Sequence, residues 1–204
     1  MNNKKFLIAV LSLILLFAIS CGDRPTGSDT GGSGKGDALL NSVPKATGNP
    51  TQNFSTATTY NATLNIVDTK EDTDFTDDFL SYVETGKTRE QLIEEAKTQN
   101  IILTITKNTA GNNIVKLEDA SITSTGEYKS EAILFENAEL KKDSSGKYNA
   151  GVEKTFENST QIYYIEFDTT TTTSTSKIKF VNAISQNVDW GDIGSKYTYT
   201  GTFN

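Results

Sequence analysis

The chain has 204 residues, with 19 basic against 26 acidic side chains and a net charge of −7. It contains no histidine and a single cysteine. Those absences exclude serine–histidine triads, zinc–histidine hydrolase sites and a disulfide framework, and the negative balance argues against a nucleic-acid partner.

The chain opens Met1-Asn2-Asn3-Lys4-Lys5, a short positive segment, and continues apolar from Phe6 to Ile19, broken only by Ser12. Those fourteen residues would rise about 21 Å as a helix, too little for a hydrocarbon core of roughly 30 Å. Length and flank fit a secretory leader over residues 1–20 better than a membrane-spanning helix. The run ends Ala18-Ile19-Ser20-Cys21, with a small residue before the only cysteine. This resembles the lipobox of bacterial lipoproteins cut by signal peptidase II, in the relaxed form seen in spirochaetes. The resemblance covers residues 1–22. It implies cleavage before Cys21, a thioether-linked diacylglycerol on its sulfur and an acylated amine. It further implies a lipid-anchored place in the bacterial cell envelope, the outer membrane being the expected one. Acyl chains gaining ~0.8 kcal/mol per buried CH₂ make a durable anchor. Without residues 1–20, which hold Lys4 and Lys5, 17 basic residues face 26 acidic ones, a net charge of −9. Membrane contact is therefore expected through the lipid and not through a basic face.

Residues 21–53 read as the lipidated cysteine and a flexible tether. Gly31-Gly32-Ser33-Gly34-Lys35-Gly36 lies here with all three prolines, Pro25, Pro44 and Pro50, and the main apolar residues are Leu39, Leu40 and Val43. Such a composition cannot bury enough surface to offset the entropy of ordering, and 32 flexible residues reach roughly 30 Å. The glycine tract is not a phosphate loop: Asp29 stands where the first glycine belongs and Gly36 where Ser or Thr is required.

Residues 54–204 read as one β-rich domain. Tyr60, Ala62, Leu64 and Ile66 alternate with polar residues, the period of a half-buried strand. An acidic stretch, Asp68 to Asp78, leads into Phe75, Phe79, Leu80 and Val83 at helical spacing, predicting a helix over 75–84. Thr88-Arg89-Glu90-Gln91 predicts a capped second helix over 88–98. From Ile101 the period returns to two. Strands are predicted at 101–105, 114–117, 120–125, 131–140, 147–156, 161–168, 177–184 and 196–203, with turns at Ala110-Gly111-Asn112-Asn113 and Asp143-Ser144-Ser145-Gly146. The fold class is mainly β: a single antiparallel sandwich or closed β-barrel with a short helical insertion.

Three features bear on chemistry. Asp72, Asp74, Asp77 and Asp78 are candidate calcium ligands by residue type, but no glycine and closing glutamate stand at EF-hand spacing, and acidic residues equally suit a helix start. No metal or cofactor is expected. Tyr60, Tyr163, Phe167, Phe180, Tyr197 and Tyr199 fall on the apolar faces of their strands. In a closed barrel they would either line a cavity for an apolar or glycan ligand or pack as an ordinary core. The run Asp168 to Ser176, rich in threonine, reads as a hairpin tip, and Trp190 as a cover for one end of the barrel. Carboxylates for a glycosidase pair exist at Glu131, Glu136, Glu139, Glu153, Glu157 and Glu166, with nothing to single out two of them. The expected function is non-enzymatic: an envelope lipoprotein contacting a macromolecular partner, protein or glycan. The alternatives are a lipocalin-like carrier of a small apolar or glycan ligand and, least favoured, a carboxylate hydrolase.

Overall fold

In a computed structural model of the chain, the structure describes residues 35–71, 91, 94, 97–120, 132–157, 159–168, 176–188 and 191–203. A helix, α1 (Lys35–Asn41), precedes ten strands: β1 (Asn49–Pro50), β2 (Thr58–Glu71), β3 (Thr98–Lys107), β4 (Asn113–Asp119), β5 (Ile133–Glu139), β6 (Lys141–Lys142), β7 (Tyr148–Phe156), β8 (Ser159–Phe167), β9 (Lys177–Val188) and β10 (Gly191–Phe203). All belong to one sheet in the order β1-β6-β7-β8-β9-β10-β2-β3-β4-β5, and neighbours pair antiparallel. The sheet curls into a nearly closed barrel, so of the two β architectures expected the barrel is the one adopted.

Closure depends on one residue. β5 and β6 are consecutive in the chain, separated only by Leu140, yet β5 ends the sheet order on one side while β6 lies next to the other end, beside β1. At Leu140 the chain leaves β4 as partner and takes up β7. The corner is tied by three backbone hydrogen bonds: Leu140 N–H to Asn113 O at 2.9 Å, Asn113 N–H to Thr51 O at 2.8 Å, and Thr51 N–H to Leu140 O at 3.0 Å. Away from this corner β5 and β7 share no ladder, and the Lys154 ammonium spans the seam to the Leu134 carbonyl at 2.7 Å.

The two faces follow from strand period. β4 alternates buried and half-buried at every residue, and β3 buries Gln99, Ile101, Leu103 and Ile105 while its other side chains turn outward. Val67 sits in a register shift where Ile66 pairs with Tyr199 and Asp68 with Thr198. It is therefore the extra residue of a bulge, which explains an exposed valine inside a strand. The interior is one cluster containing Leu64, Leu103, Leu117, Phe135, Leu140, Ile165, Phe167, Phe180 and Phe203.

The expectation of a tether up to residue 53 is corrected for residues 35–53, which fold against the barrel. Leu40 lies in the last turn of α1 and Val43 two residues past its end, where the Val43 N–H donates to the Leu40 carbonyl at 3.0 Å. They pack with Tyr164, Val181 and Ala183 on the outer face of β8 and β9, forming a second small core. Lys196 on β10 donates to Ser42 Oγ at 2.7 Å, and Thr47 N–H donates to Asn149 Oδ1 at 2.8 Å. Gly48, at φ +98°, brings the chain against the Lys142 carbonyl, where no side chain would fit. The following residues then cross one end of the barrel. There Phe54 exchanges two hydrogen bonds with the Asn113 side chain, at 3.2 and 2.9 Å.

Gln91 and Glu94 are helical, as the capping-box reading expects, and β3 has begun by Thr98. The helix over 75–84, the strand over 121–125, the threonine run from 169 to 175 and Trp190 lie outside the described residues.

Candidate functional site

The six aromatic residues singled out from the sequence all join the same interior cluster, with Tyr60 at its edge. Their rings are in contact with one another. Tyr163 stacks on Phe180 at 6.2 Å between centroids, Phe180 stacks on Tyr199 at 5.8 Å, and Phe135 closes on Tyr163 at 5.9 Å. A second chain of rings runs Phe54, Tyr148, Phe167, Phe203 and Tyr60 at successive distances of 5.2, 5.5, 5.7 and 4.8 Å. Offset and edge contacts at these distances are the ordinary way a close-packed core accommodates rings. Burial raises the Tyr163 and Tyr199 phenols above their usual range, with the nearby Asp119 adding to the effect at Tyr199. Tyr60, nearer the rim, is raised by burial and by Tyr148.

The interior is not uniform along the barrel axis. The half near the Leu140 corner is apolar, with Leu103, Ile105, Leu117, Ile165 and Ile178. Toward the other end the inward positions turn polar. Gln99 donates to the Tyr199 hydroxyl at 3.1 Å, and Gln161 donates to Asn182 Oδ1 at 3.1 Å. Asp119 is buried there too. Lys154 rests over the Tyr163 ring at 5.5 Å, and its ammonium is pushed down by burial, with Glu136 opposing. Sequence reading passed over these polar residues. Gln99 and Gln161 share the inward parity of Ile101 and Tyr163, so alternation alone would have found them; their polar character concealed it.

A groove of about 760 Å³ lies at the apolar end, between β8, β9, β10 and the turn before β7. Lys147, Glu166, Lys177, Lys179, Thr200 and Thr202 line it. Lys147 and Glu166 pair across it at 2.7 Å, which raises the lysine above its usual value. The Tyr164 hydroxyl donates to the other Glu166 oxygen at 3.1 Å.

Of the acidic residues weighed as hydrolase carboxylates, Glu136, Glu139, Glu153 and Glu157 are exposed, and Glu166 is held by Lys147 and Tyr164. Among the described residues no three His, Cys, Asp or Glu side chains gather as a metal site, and no helix is long and apolar enough to cross a membrane. Cys21, the candidate calcium ligands Asp72, Asp74, Asp77 and Asp78, and Glu131 lie outside the described residues.

No protein-family model and no curated protein matches the chain. Among solved structures it is similar to zebrafish ileal bile acid-binding protein complexed with cholic acid, at 10% identity and a TM-score of 0.23, over 69% of this chain and 94% of that one. At that distance the likeness assigns no ligand, and the fold stands on the strand pairing itself.

Proposed function

We propose that the chain is a non-enzymatic, lipid-anchored protein of the bacterial cell envelope, whose barrel is a filled scaffold and whose macromolecular partner binds the outer surface. The observation that carries the reading is the packing of Tyr163, Phe180 and Tyr199 on one another. Phe135 closes on Tyr163 from β5, a strand that shares no ladder with β8, and all four rings are buried, which supports a packed interior and leaves the exterior as the place for recognition. The leader ending at Ser20-Cys21 supplies the envelope address. A second reading, a carrier of a small ligand, draws on the inward polar pairs Gln99–Tyr199 and Gln161–Asn182, because a few convergent polar groups in an apolar interior are what a ligand pocket uses.

The test is site-specific photo-crosslinking of the full chain in its native envelope. Probes replace Thr63 and Thr106, which point outward, or Tyr60, at the rim of the interior. The proposal expects macromolecular adducts from the outward probes and none from Tyr60, with palmitate labelling abolished in Cys21→Ser. Adducts confined to Tyr60 and of small mass would overturn it in favour of the carrier.

A further inference from the structure

The chain is acidic overall, but its charge is divided between two walls of the barrel. β9 and β10 stand in the middle of the sheet order, and β4, β5 and β7 stand toward its two ends. Curling the sheet brings the ends together, so the β9–β10 wall lies across the barrel from β4, β5 and β7. β9 and β10 carry Lys177, Lys179 and Lys196 against Asp192, a net +2. β4, β5 and β7 carry Lys116 and Lys154 against Glu118, Asp119, Glu136, Glu139 and Glu153, a net −3. Lys154 lies over the Tyr163 ring and Asp119 is buried, so these two cancel inside and the same excess of −3 remains outside. The strands flanking β9 and β10 hold carboxylates too: Glu166 on β8, paired with Lys147 at 2.7 Å, and Asp68 and Glu71 on β2, beside Lys70. With both flanks counted, four lysines meet four carboxylates. That sum is still three charges above the opposite wall.

The same wall receives the chain from its N-terminal side. Leu40 of α1 and Val43 after it pack on Val181 and Ala183 of β9, and Lys196 of β10 donates to Ser42 Oγ at 2.7 Å. Fourteen residue steps separate Lys35, where α1 begins, from Cys21, a span of at most about 50 Å when fully extended. An acyl group on Cys21 therefore ties the barrel to a bilayer by its β9–β10 wall. Lys196 also stands directly opposite Lys70 on β2, and like charges facing across a ladder oppose folding unless an anion meets them. Burial, then Lys70, holds the Lys196 ammonium below its usual range, with Asp68 opposing. Three residues before Lys70, Val67 is 58% exposed.

We propose that the β9–β10 wall, through Lys177, Lys179 and Lys196, rests on an anionic lipid surface beside the anchor and turns the glutamate-bearing β4–β5–β7 wall away from it. Anionic headgroups attract lysines within a Debye length and repel carboxylates. The reverse orientation would set Glu118, Glu136, Glu139 and Glu153 against them. The overall negative charge hides this contact, because it is the sum over both walls. The inference rests on the lipid anchor of the proposed function and deepens it: the macromolecular partner meets the barrel on the wall turned outward.

The test uses the full acylated chain reconstituted in mixed vesicles of phosphatidylcholine and phosphatidylglycerol. Cys21 is the only cysteine and its sulfur is acylated, so Thr200→Cys on β10 or Thr155→Cys on β7, both at exposed positions, gives a single thiol for a fluorophore. Lipids with a nitroxide on the headgroup quench whichever label lies near the surface. The label at 200 should be quenched at least about threefold more than the label at 155. That ratio should fall toward one at high salt, in phosphatidylcholine alone, and in Lys177→Glu/Lys179→Glu, whose melting checks that it folds. Equal quenching in the anionic vesicles, or stronger quenching at 155, would overturn the orientation. A preference for 200 that persists in phosphatidylcholine and in the double variant would overturn it as well, because the strap would then orient the barrel without the lysines. Flotation with the vesicles and the mass of the acylated chain are measured on the same samples. If either fails, the anchor reading falls and the orientation with it; equal quenching in a chain that is acylated and floats refutes the orientation alone.

Discussion

Phe180→Ala tests whether the barrel interior is a packed core or the wall of a cavity. Phe180 is 1% exposed and lies between Tyr163 at 6.2 Å and Tyr199 at 5.8 Å. Truncation removes a fully buried ring and both stacking contacts at once. In a close-packed interior the neighbours collapse only partly, and such changes cost about 3–5 kcal/mol. For a domain of this size that corresponds to a fall in Tm of roughly 6–20 °C. Urea denaturation followed by circular dichroism measures the loss directly. Thr63→Ala, on the exposed outer face, is the matched control and should stay within about 0.5 kcal/mol. If Phe180 instead bordered open volume, the lost contacts would be on one side only. A cost below about 1.5 kcal/mol would refute the packed-core reasoning.

Stability should also fall at alkaline pH. Because folding raises the Tyr163, Tyr164 and Tyr199 phenols, chiefly by burial and at Tyr164 also through Glu166, the folded chain holds protons that the unfolded chain releases near the ordinary phenol value. Their contribution is complete below about pH 10 and is lost as pH rises further toward the folded values, at up to ~1.4 kcal/mol per pH unit for each group. Urea midpoints from pH 9 to 11.5 read this slope, and Tyr163→Phe should lower it by about a third; a flat profile would contradict the burial. Leu40→Asp should release α1 from the Tyr164–Val181–Ala183 face without unfolding the barrel, since a charge cannot be buried there unpaired. Limited proteolysis should then cut within residues 35–48 first, and unchanged protection would show that the helix does not depend on this contact. Gly201→Ala places a methyl against the Thr63 carbonyl. It should cost about 1–3 kcal/mol of strain and loosen hydrogen exchange along β10 and β2; a neutral result would mean the strands are not held this close.

Much of the barrel was legible because a strand states its two faces in its own residues. Tyr60-Ala62-Leu64-Ile66 and Ile101-Leu103-Ile105 read inward as spaced and lie inward in the structure. Closure was not legible. It turns on Leu140 exchanging partners between β4 and β7, a long-range event with no local pattern, so sandwich and barrel looked alike. The strap over residues 35–53 escaped notice because glycine, serine and proline dominate its composition. A short helix needs only Leu40 and Val43 to hold it, and average composition hides two residues. The aromatic candidates were placed correctly on inward faces, but whether rings line a space or fill it depends on distances between strands. The same limit applies outside: Lys177, Lys179 and Lys196 read as scattered charges until the sheet order set β9 and β10 across from β4, β5 and β7.

The measurement that bears most directly on the proposed filled scaffold is the native mass of the full chain, purified gently from its source. The proposed function predicts the acylated polypeptide with no stoichiometric small molecule inside it, and no uptake of one from a mixture of lipids and free sugars. A bound small molecule that leaves on Tyr163→Ala or Tyr199→Ala would contradict it, making the barrel a carrier and its interior the site.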